Sequence, residues 1–283
     1  MLEMLLSPRK AERRPWEMFF VGLFYAMLAM LLVNWIFSGD SVLSKYSSIL
    51  AITFTVIFSM PFMYYLIKNE EEKDLRIEGS WKMLKAHSSA LLALMFLFFG
   101  FIVAFSLWYM VTGSPDNFQA QIATYCAINR PTNFDSCLSD YGLEKTTGAF
   151  ISAKEKLIRI FVNNINVLIF TLLLSIVFGA GAIFVLAWNA SVIAVAIGIF
   201  TKLRVGDMYL GILRYMTHGV FEIGGYFVGA LAGGIISIAI IKRDTKNEKF
   251  WDVLQDSINL IIVAIILLAV GTLIEVFVTP ALF

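Results

Sequence analysis

Residues 160–203 read IFVNNINVLIFTLLLSIVFGAGAIFVLAWNASVIAVAIGIFTKL, without an acidic or basic side chain between Ile160 and Thr201. A helix crosses about 30 Å of hydrocarbon with roughly 20 apolar residues, so this run is too long for one crossing and reads as two segments. The natural break is Phe178-Gly179-Ala180-Gly181-Ala182, where two glycines permit a tight reversal or a kink that branched residues would resist. The two segments form a down-and-up pair, which either crosses fully or re-enters as a helical hairpin over 160–203. Both options stand. No charge flanks the reversal to hold it in water, and non-helical backbone is tolerated at depth only where protein or a water cavity covers it.

Further apolar runs of crossing length lie on both sides, at about 17–37, 48–67, 89–111, 217–241 and 256–279. Composition agrees, because 59% hydrophobic residues, 15% charged residues and 25 Phe in 283 positions cannot be hidden inside one soluble core. The expected fold class is all-α, a polytopic transmembrane helical bundle of six to seven membrane segments. Three regions are expected: 1–111 with three spans, 112–159 as an extracytoplasmic loop and amphipathic helix, and 160–283 as the C-terminal membrane region.

The net charge of +1 says little, since the position of Lys and Arg relative to the spans is what sets orientation. Arg9, Lys10, Arg13 and Arg14 place the N-terminus in the cytoplasm of a multi-pass cell-membrane protein. The basic stretches 68–87 and 242–255 fall on the same side. Segments 38–47, 112–159, 203–216 and the C-terminal Pro280-Ala281-Leu282-Phe283 are then outside. The first span is expected to stay as an anchor, because its apolar run exceeds the roughly 7–15 residues of a cleaved signal sequence.

The outer loop holds both cysteines, Cys126 and Cys137. On the oxidising side of a membrane a disulfide is expected, worth roughly 3 kcal/mol for so short a loop. Glu144 to Ile160 has an amphipathic pattern with Lys154, Lys156 and Arg159 available to anionic headgroups; the alternative is a solvated lead-in to the next span. With two His and two Cys, no four-ligand Cys/His metal cluster of usual spacing can be built, and no phosphate-gripping Gly-rich loop is present. No metal, no cofactor and no nucleic-acid partner is expected. Membrane lipid is.

Polar residues interrupt the apolar stretch at Asn163, Asn164, Asn166, Asn189, His218 and Glu222. A charged group at bilayer depth costs roughly 2.5–3.5 kcal/mol on insertion scales, so each needs a partner or a use. His218, Glu222, Gly225 and Gly229 are spaced by four, three and four residues and fall within roughly 40° of one helical line. Gly225, Gly229 and Gly233 make two overlapping Gly-xxx-Gly steps, and Ala190, Ala194 and Gly198 form a matching stripe. These lines suggest packing the fifth segment against the sixth. Asn164, Thr171 and Ser175 align on the fourth. His218 and Glu222 read as a structural pair, a proton or ion site, or a partner-binding site. Glu275 is expected at the outer interface, nearly opposite Asn259.

His218-Gly219-x-x-Glu222 is not the zinc-protease arrangement, which needs His at i and i+4 with Glu between them. His87 lies in a cytoplasmic loop by this topology, and Ser191 and Ser237 have no neighbouring histidine in sequence. No enzyme is expected.

Asn163-Asn164 opening a helix, the Gly179/Gly181 reversal, Asn189 in Trp-Asn-Ala-Ser, and His218-Gly219-x-x-Glu222 with its glycine run together resemble the stage II sporulation protein M family. The resemblance covers about 155–241. It departs at Asn189-Ala190, where the family usually has Asn-Gly. It implies an integral membrane protein with Asn163, Asn164, Asn189, His218 and Glu222 at the matched positions. Sporulating members act with cell-wall hydrolases during engulfment as a membrane scaffold, and members in archaea and non-sporulating bacteria cannot have that role. Two functions follow: a non-enzymatic, homo-oligomeric scaffold that docks other membrane or surface proteins, or a transporter or channel component with a polar site around His218 and Glu222.

Overall fold

The computed structural model describes residues 11, 13–37, 39–40, 42–74, 85, 88–129, 134–141, 153–178, 182–241 and 248–283. Among them every regular element is helical. Lipid offers backbone groups no hydrogen bonds, and a helix satisfies them within one segment. The long helices are α1 (Glu17–Phe37), α2 (Ser47–Asp74) and α3 (Ser88–Thr112), followed by the short α4 (Gln119–Asn129) and α5 (Phe134–Asp140). Then come α6 (Ala153–Phe178), α7 (Ala182–Phe200), α8 (Met208–Ile241) and α9 (Glu248–Leu273), with a π-helical turn at Ile274–Val278 and the terminal α10 (Thr279–Leu282). Seven of these, α1, α2, α3, α6, α7, α8 and α9, contain stretches long and apolar enough to cross a membrane. This is the expected helical bundle.

The reversal at 179–181, His87, most of 68–87, 242–247 and the lead-in before Ala153 lie outside the described residues. α6 and α7 are each long enough to cross, at 26 and 19 residues. α8 begins at Met208 rather than near 217, and its 34 residues make a rod of about 51 Å, well beyond the hydrocarbon thickness.

Two sets of helices meet at α7. In the first, α1 crosses α3 so closely that a Cβ on Gly100 would lie 2.6 Å from the backbone nitrogen of Leu23, while a Cβ on Gly22 would strike the carbonyl of Leu97. The second set is α6, α8 and α9, with α8 packed along both others. α7 is the most enclosed of the spans and packs on α2, α3 and α8, so one apolar core runs from Ala11 to Leu268.

A cap closes one end. Phe118 stacks edge-on against Phe105 and Tyr109 of α3, at centroid separations of 6.4 and 5.2 Å. Gln121 Nε2 donates to the Ser48 carbonyl at 3.5 Å, and Cys126 is bonded to Cys137. At the link from α7 to α8, Leu203 N–H donates to Gly198 O and Lys202 N–H to Ile199 O, the two bonds of a Schellman closure. Lys202 and Leu203 hold φ of 52° and 58°, where glycine is usual, and Arg214 of α8 covers the Phe200 ring at 4.8 Å.

Candidate functional site

The polar residues that matter most converge where α6, α8 and α9 meet. Asn164 Nδ2 donates to Glu222 Oε1 at 2.8 Å, and its Oδ1 accepts from the Tyr226 hydroxyl at 2.9 Å. Thr272 Oγ1 of α9 lies 3.5 Å from the same Nδ2. Glu222 and Tyr226 are four apart on α8, so one amide on α6 can meet both. The amide's two ends are thereby assigned, since only the NH2 can donate to a carboxylate.

One helical turn earlier on α8, His218 is buried and its Nδ1 lies 3.2 Å from Thr279 Oγ1. Glu275 comes in from the π-helical turn after α9, and one ligand atom each from His218, Glu222 and Glu275 lies within 4.8 Å of the others. Glu275, expected at the outer interface, is partly buried and faces α8, because the C-terminal stretch that carries Thr272 and Thr279 packs on α8. The close approach is steric as well. A Cβ on Gly271 would lie 2.8 Å from Glu222 Cγ.

The other polar residues that the sequence singled out stand apart. Asn163 and Asn166 are exposed on α6, and Asn189 on α7 donates to its own helix at Val185 O, 2.7 Å away. Thr171 likewise bonds back to Val167 O at 2.8 Å, and Ser175 is buried against the line of Gly233. Asn259 is exposed on α9.

The glycine row also meets partners other than those expected. A Cβ on Gly225 would lie 3.0 Å from Leu268 of α9, one on Gly229 would run into the Leu168 side chain of α6, and one on Gly233 would lie 2.8 Å from Ser175 Cβ of α6. Gly198 of α7 faces the Tyr109 ring of α3, while Ala190 and Ala194 are fully buried in the core. α7 and α8 do touch, but these glycines are not what brings them together.

Sequence reasoning therefore named Asn164, His218 and Glu222, set Glu275 apart from them, and missed Tyr226, Thr272 and Thr279. A usable signal existed in Thr272, Glu275 and Thr279, a polar line at spacings of three and four in the otherwise apolar stretch after Asn259.

A family model described as Stage II sporulation protein M matches residues 89–280. The match begins at α3 and takes in the disulfide cap, well beyond the 155–241 stretch that carries the resemblance. An uncharacterized protein of Methanocaldococcus jannaschii is 30% identical over 124 residues, which make up 43% of this chain and 69% of that protein. No solved structure matches the chain.

Proposed function

Since the chain belongs to the stage II sporulation protein M family, we propose that it is a non-enzymatic membrane scaffold that holds other membrane or surface proteins through its disulfide-closed cap. The observation that supports this best is the tie on Glu222. Its carboxylate accepts from Asn164, and Asn164 is itself held by Tyr226. A carboxylate fixed by side chains of neighbouring helices suits a rigid platform, whereas a transport site exposes its ligands alternately as one helix set rocks against another.

In this reading the N-terminus is cytoplasmic and the C-terminus outside. The Cys126–Cys137 bond supports that orientation, because disulfides persist on the oxidising side of a membrane. Oligomers would form through α6 and α9, whose outer faces expose Ile169, Leu173, Ile262 and Ile266. The same faces suit lipid.

The second reading, a transporter or channel component, is favoured by the partial exposure of Glu222 and Glu275. Flux separates the two. Purified protein in proteoliposomes is expected to pass none of H⁺, Na⁺, K⁺ or Mg²⁺ above empty vesicles. A flux that Glu222→Gln abolishes would sink the scaffold and establish transport.

A further inference from the structure

We propose that His218, Glu222 and Glu275 bind one divalent transition-metal cation of the zinc or manganese class, fastening α8 to the end of α9. The spacing of the two histidines and the Cys126–Cys137 bond exclude a Cys/His cluster, but one imidazole with two carboxylates needs only one histidine. The three ligand atoms lie within 4.8 Å of one another. In a tetrahedral shell with the usual bond lengths of about 2.0–2.2 Å, neighbouring ligand atoms stand about 3.4 Å apart. Binding therefore draws the three side chains together by about an ångström, which rotation about their own torsions supplies.

The surroundings fit coordination in three independent ways. Metal-bound histidines are usually oriented by a hydrogen bond at the other ring nitrogen, and ligating carboxylates are hydrogen-bonded in turn. Here His218 Nδ1 meets Thr279 Oγ1 at 3.2 Å, and Glu222 Oε1 accepts from Asn164 at 2.8 Å. Secondly, Glu275 is delivered by a π-helical turn, Ile274–Val278, an irregularity that recurs at functional sites. Thirdly, charge balances. Two carboxylates, a neutral imidazole and a divalent cation sum to zero. Imidazole with carboxylate favours zinc, manganese or iron over calcium, and three protein ligands leave further positions to water. Glu222 and Glu275 are partly exposed, which provides a way in, while His218 is only 8% exposed.

The site does not depend on the scaffold reading, because binding is measured on the purified full-length chain without partners. Protein in detergent is stripped with EDTA and titrated separately with Zn²⁺ and Mn²⁺. Bound metal is counted by mass spectrometry, Co²⁺ serves as an absorbance probe, and thermal unfolding is followed throughout. The expected result is one equivalent per chain with a raised melting midpoint. Glu275→Gln should weaken binding at least tenfold, and Thr279→Val, which removes the hydrogen bond to the histidine, about tenfold. Metal bound equally by Glu275→Gln comes from elsewhere and overturns the assignment. Should that variant fail to fold, the wild-type chain still decides: a melting midpoint unchanged between EDTA and either metal, with under a tenth of an equivalent retained, overturns it. Neutralisation by protons is then the answer.

Discussion

Asn164 uses both ends of its amide at once, which is why it, among the asparagines of its helix, is the one buried. Asn164→Leu leaves the Glu222 carboxylate and the Tyr226 hydroxyl short of a partner, and an unsatisfied buried polar group costs about 1–3 kcal/mol. Tyr226→Phe removes only one bond and should cost about 1 kcal/mol. Urea or thermal unfolding in detergent checks both; an Asn164→Leu chain as stable as wild type would deny the tie any weight. A second residue acts through the backbone. Asp40 accepts from the N–H groups of Leu43 and Val42, each at 2.8 Å, which hold its carboxyl below its ordinary value of 3.8. A depressed folded value means the contribution is complete above the unfolded value and lost as pH falls through the folded one. Amide protection at Val42 and Leu43 should therefore drop on acidification below about pH 4, and Asp40→Ala should remove that pH dependence. The sequence singled out Asn164, His218 and Glu222 because polar atoms in an apolar run stand out, but nothing in one helix says which polar atoms on another will meet them.

Helix pairs show the same division. Gly-xxx-Gly steps announce that a helix can be approached closely, so Gly225, Gly229 and Gly233 were legible as a packing line. Their partners were not, and α6 and α9 rather than α7 occupy it. The tightest crossing, between α1 and α3, escaped the pattern altogether, because Gly22 and Gly100 are single glycines on different helices. At Gly100 a Cβ would meet Phe19 and Leu23 through backbone atoms, which cannot rotate aside. Gly100→Ala should thus cost about 1–3 kcal/mol as an overpacked contact. Gly234→Ala, with nothing within 4 Å, is the control and should unfold with the wild type.

Across the whole molecule, α7 joins the helices on either side of the disulfide cap, so the N-terminal spans and the node around Glu222 share one core. Seven crossings would put the two ends of the chain on opposite sides of the membrane. Orientation is tested in intact cells with a chain in which Cys126 and Cys137 are replaced by serine. With Phe283→Cys added, an impermeant maleimide is expected to label it without permeabilisation. Labelling only after permeabilisation would reverse the proposed topology.

Hydrophobicity is a local property, and the lengths of apolar runs therefore determined the seven helical segments and the membrane class from the sequence alone. The order of weak motifs along the chain was also enough to indicate the family. Which faces touch is not local: it depends on rotations and crossing angles that many helices settle together. Only the tertiary structure could bring Glu275 to His218 and Glu222, set Gly100 against Gly22, and leave Asn163 exposed while burying Asn164.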